Sequence, residues 1–176
     1  MILTRQTLSV IPAATAICIV VLSPVIAPAS TAASAQKTVS IAECAINGFV
    51  LGDTTDQMRQ VFGEPDQNSV VKSQLNEYPH REYKYDGMRI VFSTNGRSAM
   101  SFYVSSSTYR LRSGIGVGSR WMDVVDVLGP GSLRSARGSN TYSYQVVDSK
   151  GDYIPAWLRF TIENQVVTTF SVVTTR

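Results

Sequence analysis

The chain holds one histidine, His80, and two cysteines, Cys18 and Cys44, among its 176 residues. That scarcity narrows the chemistry at once. A protein zinc site takes three or four nitrogen, sulfur or oxygen ligands, mostly His and Cys, so no metal site is expected, and no motif calls for a cofactor. Any Ser-His-Asp or Cys-His nucleophile would have to use His80, which follows Pro79 in an expected loop. Charge is also sparse, at 16% of residues. Sixteen basic residues face thirteen acidic ones, and nucleic-acid binding rewards many phosphate contacts, so no nucleic-acid partner is expected. Arg110, Arg112, Arg120, Arg134 and Arg137 make the second half locally basic, which reads as loop arginines kept in solvent.

What is present begins with an export signal. Arg5 precedes an apolar run from Leu8 to Ala29, and Ala33-Ser34-Ala35 before Gln36 fits a small-residue cleavage site. Residues 1–35 are therefore expected to be removed, giving a periplasmic or secreted protein. The other reading is an uncleaved membrane anchor, the one route by which membrane contact would arise; Pro12, Pro24 and Pro28 interrupt the run and argue against it. Neither cysteine has the small preceding residue that lipid attachment wants, since Ile17 and Glu43 stand there. After cleavage Cys44 has no partner in the chain, so it is either a buried thiol or an intermolecular link.

The mature chain shows one order of features twice, after a leader at 36–47. The first unit is 48–107 and the second 108–176, with Ser105 to Thr108 as the boundary. Gly48 to Gly52 is answered by Gly114 to Gly118, each flanking an apolar stretch. In the first unit Thr54 and Gln57 form a capping box, Met58, Val61 and Phe62 form one apolar stripe, and Gly63 stops the helix. In the second, Ser119 is the expected cap, Val124, Val127 and Leu128 the stripe, and Gly129 the stop. Helices this short fall below the ~12–15 residues needed for independent stability, so each must dock on a sheet.

Strand patterns follow each helix. Tyr83 and Tyr85 lead to Asp86-Gly87, a hairpin turn; Met88, Ile90 and Phe92 share one face, Asn95-Gly96 turns the chain, and Met100, Phe102 and Val104 share a face of the third strand. The second unit has Tyr142, Tyr144 and Val146, a polar turn at Asp148 to Asp152, then Leu158, Phe160 and Ile162. Glu163-Asn164 turns the chain, and Val166, Thr168, Phe170 and Val172 close the pattern. The expected fold is α+β: two tandem helix-plus-antiparallel-meander repeats, with short helices on one face of a shared curved sheet.

The stretch Gly52-Asp53-Thr54, Met58, Phe62-Gly63-Glu64-Pro65 is similar to the G-x-T-x-x-x-V-x-x-x-L-G-x-P signature of SmpA/OmlA-type outer-membrane assembly lipoproteins. Gly118, Val124 and Leu128-Gly129 form a weaker second copy. Two such units in a secreted protein resemble the beta-lactamase inhibitory protein family, over about residues 46–173. The resemblance implies helices on one sheet face and a binding role without chemistry. Arg120 stands in place of the signature Thr and Gly131 in place of the Pro, and the inhibitor family's paired cysteines are missing.

Candidate chemistry is thin. Asp53/Asp56, Glu64/Asp66 and Asp123/Asp126 sit at helix starts, ends or solvent faces, where dipole and solubility roles explain them. The spacing of Gly114-Ile115-Gly116-Val117-Gly118 lacks the third glycine of G-x-G-x-x-G, since Ser119 stands there, and tight backbone packing accounts for the stretch. The aromatics stand out instead. Tyr83, Tyr85, Tyr142 and Tyr144 occupy matching strands, while Tyr103 and Trp157 point opposite to Phe102 and Leu158. Either these residues fill the core or they form an exposed recognition surface of the kind that binding hot spots favour; Tyr103 and Trp157 are the leading interface candidates. The expected function is an exported, non-catalytic protein-binding module, an inhibitor of or assembly partner for another envelope or secreted protein. An envelope hydrolase using a carboxylate pair, or a structural envelope protein, are the alternatives.

Overall fold

The structure, a computed structural model, describes residues 37–72, 79–136 and 139–175. The export segment with Cys18, and Arg137, lie outside the described residues.

Short alternating segments fold into strands, and two apolar-striped segments into helices. The elements in chain order are β1 (Thr38–Ser40), α1 (Thr55–Phe62), β2 (Gln67–Val71), β3 (His80–Tyr85), β4 (Met88–Phe92) and β5 (Ala99–Val104). They continue with α2 (Trp121–Leu128), β6 (Ser132–Ala136), β7 (Ser139–Val147), β8 (Tyr153–Glu163) and β9 (Val166–Thr174). The sheet runs β1-β7-β8-β9-β5-β4-β3-β2, with β6 also paired to β7. Every pairing is antiparallel except β1 with β7. Among the described residues the fold is α+β, with two short helices and an open nine-stranded sheet.

A helix followed by four strands occurs twice along the chain. Each set therefore has one strand more than the meander expected from sequence, because β2 and β6 lack a long alternating apolar pattern. The last strands of the two sets, β5 and β9, pair with each other: Phe102 lies opposite Val172 and Val104 opposite Phe170. One edge of β7 is divided, β6 taking its first half and β1 its last three residues.

The first helix is capped as its residues require. Gln57 N–H donates to Thr54 Oγ1 at 3.3 Å, and Thr54 N–H donates to Gln57 Oε1 at 2.8 Å. Gly63 ends it with φ 79°, a conformation that costs glycine little. The second helix corrects two expectations. Its N-cap is Arg120, not Ser119: the Ser119 hydroxyl instead accepts the Gly116 N–H at 3.1 Å, and Asp123 accepts the Arg120 N–H. Val127 is 53% exposed, so the buried side of this helix is carried by Val124 and Leu128, with Trp121 packed beside them.

Ile90, Phe92, Phe102, Val104, Leu158, Phe160, Phe170 and Val172 are all buried, and the registers place them on one side of the sheet. Both helices meet that side. Phe62 packs against Tyr85 with ring centroids 5.8 Å apart, and Trp121 stacks on Tyr142 at 3.5 Å. Val39, Cys44 and Ile46 are buried as well. The segment read as a leader thus supplies both β1 and part of the core.

Two bulges shift the expected strand faces. On β5, Val91 pairs with Ser101 but Phe92 pairs with Ala99, leaving Met100 as the extra residue. On β9, Thr161 pairs with Thr169 but Ile162 pairs with Val167, leaving Thr168 extra. Ala99 and Val167 therefore take the buried places expected for Met100 and Val166 or Thr168. The cause is backbone docking at both sites. Gly52 N–H donates to Ala99 O and Ala99 N–H to Asp53 O; Gly118 N–H donates to Val167 O and Val167 N–H to Ser119 O. The glycine-flanked stretches dock the entry to each helix onto the last strand of its own set. That is the physical role of the loop that superficially resembles a nucleotide-binding turn.

Candidate functional site

The helix-free side of the sheet is the candidate site, and cross-strand register builds it. Side chains alternate across a strand, so the partners of buried residues fix what faces away from the helices. One row reads Lys84, Arg89, Tyr103, Ser171, Arg159 and Ser143, in direct pairwise register across β3, β4, β5, β9, β8 and β7. The neighbouring row holds Glu82, Val91, Ser101, Val173 and Trp157. Tyr103 and Trp157 thus flank β9 from opposite sides.

The Arg89 guanidinium lies over the Tyr103 ring, 4.3 Å from its centroid. This cation–π contact fixes the ring and leaves the cation on the face. Arg89 Nη1 also donates to Glu82 Oε1 at 3.2 Å, and His80 Nε2 lies 3.4 Å from the same oxygen. Glu82, at 9% exposure, has both of these neighbours on one carboxylate oxygen. His80 is the first residue of β3, not a loop residue, and its contact is this ion-pair cluster.

Two grooves open on this side. One of about 540 Å³ is lined by Lys84, Arg89, Tyr103, Thr161, Thr169 and Ser171 among others. A second, of about 450 Å³, is lined by Ser132, Arg134, Thr141, Ser143, Trp157 and Arg159. Tyr103 belongs to the first and Trp157 to the second.

The remaining aromatic candidates sit on the other side. Tyr83 and Tyr144 are 3% and 0% exposed. An interface role for them is corrected, because the helices and the loops before them cover that side. Tyr144 Oη donates to Gly129 O at 2.8 Å, and Tyr85 Oη donates to Gly63 O at 3.0 Å. Each phenol holds the carbonyl at the end of a helix, a group the helix cannot satisfy itself. Burial pushes both phenols up to about 12, aided by Glu64 at Tyr85 and by Tyr142 at Tyr144. Tyr142, half-buried, lies beneath Trp121.

Several of the helix-end carboxylates have structural partners. Asp53 accepts the Val50 N–H at 2.8 Å, and Asp56 and Glu64 both reach Arg59. Cys44 is a free thiol, and burial, then Glu43, pushes it up to about 12. Among the described residues no three His, Cys, Asp or Glu side chains gather closely enough to share a metal ion.

Register also supplies residues that sequence reading passed over. Lys84, Arg89 and Arg159 interrupt apolar alternation and so were legible as outward positions, but their alignment in one row depends on which strands pair. Tyr153, 71% exposed at the start of β8, shares the outward alternation of Trp157.

No family model matches the sequence, and no curated protein does either. Among solved structures, 70% of the chain is similar to an extracellular SCP-domain protein from Bacillus anthracis, at 11% identity and a TM-score of 0.45. The chain spans less than half of that protein, 44%. Over 78% of its length it is similar to a cysteine-rich secretory protein from Staphylococcus aureus, at 14% identity and a TM-score of 0.45, covering 50% of that chain. A candidate beta-lactamase inhibitor protein from Streptococcus mutans aligns over 69% of this chain and 82% of its own, at 15% identity and a TM-score of 0.28. The similarity is distant and concerns fold.

Proposed function

We propose that this is an exported, non-catalytic protein-binding module that docks another envelope or secreted protein on its helix-free sheet face. The observation that carries the reading is the placement of Tyr103 and Trp157 on that face, either side of β9 and each in its own groove. Aromatic and arginine side chains set in grooves are what protein–protein hot spots are made of. Export rests on the apolar run and the Ala33-Ser34-Ala35 site. The two helix-plus-four-strand sets are read as copies of one ancestral unit, in the manner of the SmpA/OmlA-type and beta-lactamase inhibitory proteins. Their bulged residues, Met100 and Thr168, fall at the same separation as Ile90 and Leu158.

The test is quantitative binding to a protein recovered by affinity capture from the cell envelope. Tyr103→Ala with Trp157→Ala is expected to lower affinity for it at least tenfold, at an unchanged urea midpoint. Equal binding by the double variant would sink the docking-face reading.

A further inference from the structure

The row of cations across the open face says what the docked surface must carry. Lys84 and Arg89 lie directly opposite one another on β3 and β4, with Arg159 further along the same row and Arg134 opposite Thr141 on β6. Among the described residues, the carboxylates on the strands of this side are Glu82, already held by Arg89 and His80, and Glu163 at the far end of β8. Among the described residues, neither Lys84 nor Arg159 has an ion pair. Like charges directly opposite on a sheet repel. The fold holds Arg89 through Glu82 and Tyr103, but among the described residues no ion pair accounts for Lys84 or Arg159.

Building on the docking reading above, we infer that the partner presents an acidic extended segment. Its carboxylates meet Lys84 and Arg89, which line the larger groove, and Arg159, which lines the second. Arg89 and Arg159 stand three strands apart, roughly 14 Å at ~4.7–4.9 Å per strand. An extended peptide covers that span in about four residues at ~3.4 Å each, and residues four apart point the same way. Two acidic residues at that interval, with a small or polar residue between them over Ser171, match the row. The groove of about 540 Å³ accommodates side chains of a single strand. Nucleic acid fits less well: four cations interrupted by Ser and Tyr offer few phosphate contacts beside the ~6–10 of a nucleic-acid binder.

Fluorescence anisotropy with a short labelled peptide carrying glutamate at every fourth position tests this. The same peptide with glutamine at those positions and a thymidine oligonucleotide serve as the other probes. The glutamate peptide is expected to bind at low salt, to weaken as salt rises, and to bind better than either comparator. Lys84→Glu with Arg159→Glu is expected to weaken it at least tenfold. Among the described residues neither has an ion pair to lose, and the urea midpoint of the variant reports whether the fold is intact. Should the reversal destabilise the fold, Lys84→Gln with Arg159→Gln replaces it and is expected to weaken binding severalfold. No binding of the glutamate peptide, equal binding by the variant, or tighter binding of the oligonucleotide would each overturn the inference. The two readings fail separately. If the captured envelope protein binds the charge-reversed chain unchanged yet loses affinity to Tyr103→Ala/Trp157→Ala, the docking face stands and its acidic occupant falls.

Discussion

Among single residues the tyrosines divide most sharply. Tyr103 faces outward under Arg89, whereas Tyr144 is buried and bonded to the Gly129 carbonyl just past α2. Sequence shows all of them on strands but does not say which side the helices will take, because an alternating strand has two faces of unequal but unlabelled character. The buried set carries a pH signature. An unfolded phenol ionises near pH ~10, while Tyr144 and Tyr85 in the folded chain hold their protons up to about 12. Across that interval the folded state binds more protons, so stability is intact below pH ~10 and falls as pH rises toward 12. Tyr144→Phe is expected to lower stability at neutral pH by about 1–2 kcal/mol, through the abandoned Gly129 carbonyl. It should also flatten the alkaline decline, as read by urea unfolding at a series of pH values.

Among elements, the two helices share length and stop but not start. The first has reciprocal bonds between Thr54 and Gln57, and the second only the Asp123 acceptor. Thr54→Ala is expected to cost about 1 kcal/mol, and Asp123→Ala about half as much because one bond is lost; denaturant midpoints of the two variants check the order. The capping box at Thr54 was legible because side chain and spacing state it outright. The bulges were not. Strict alternation assigns Met100 and Thr168 to the core, and only the docking of Gly52 on Ala99 and Gly118 on Val167 displaces them. Strands β2 and β6 were missed for a related reason: they lie toward the sheet's periphery, where side chains stay in solvent and leave no periodic trace.

At the level of the whole molecule, the pairing of β5 with β9 joins strands from distant parts of the chain and brings Phe102, Val104, Phe170 and Val172 into one core. Long-range pairing of this kind was outside what sequence patterns resolve, although matched apolar strands implied a shared sheet. Unfolding of residues 36–176 is therefore expected as a single transition, coincident by fluorescence and circular dichroism. Residues 108–176 alone are expected to show no cooperative transition, since β9, stripped of β5, would become an edge with its backbone open to water and its apolar residues short of their partners. A cooperative fragment would contradict this.

That seam has a practical corollary. A chain nicked between Ser105 and Thr108 would leave two pieces interlocked along β5 and β9, each holding what the other lacks. Separately expressed pieces would then reassemble on mixing, and either one could be isotopically enriched by itself, so that spectra report one half of the recognition face at a time.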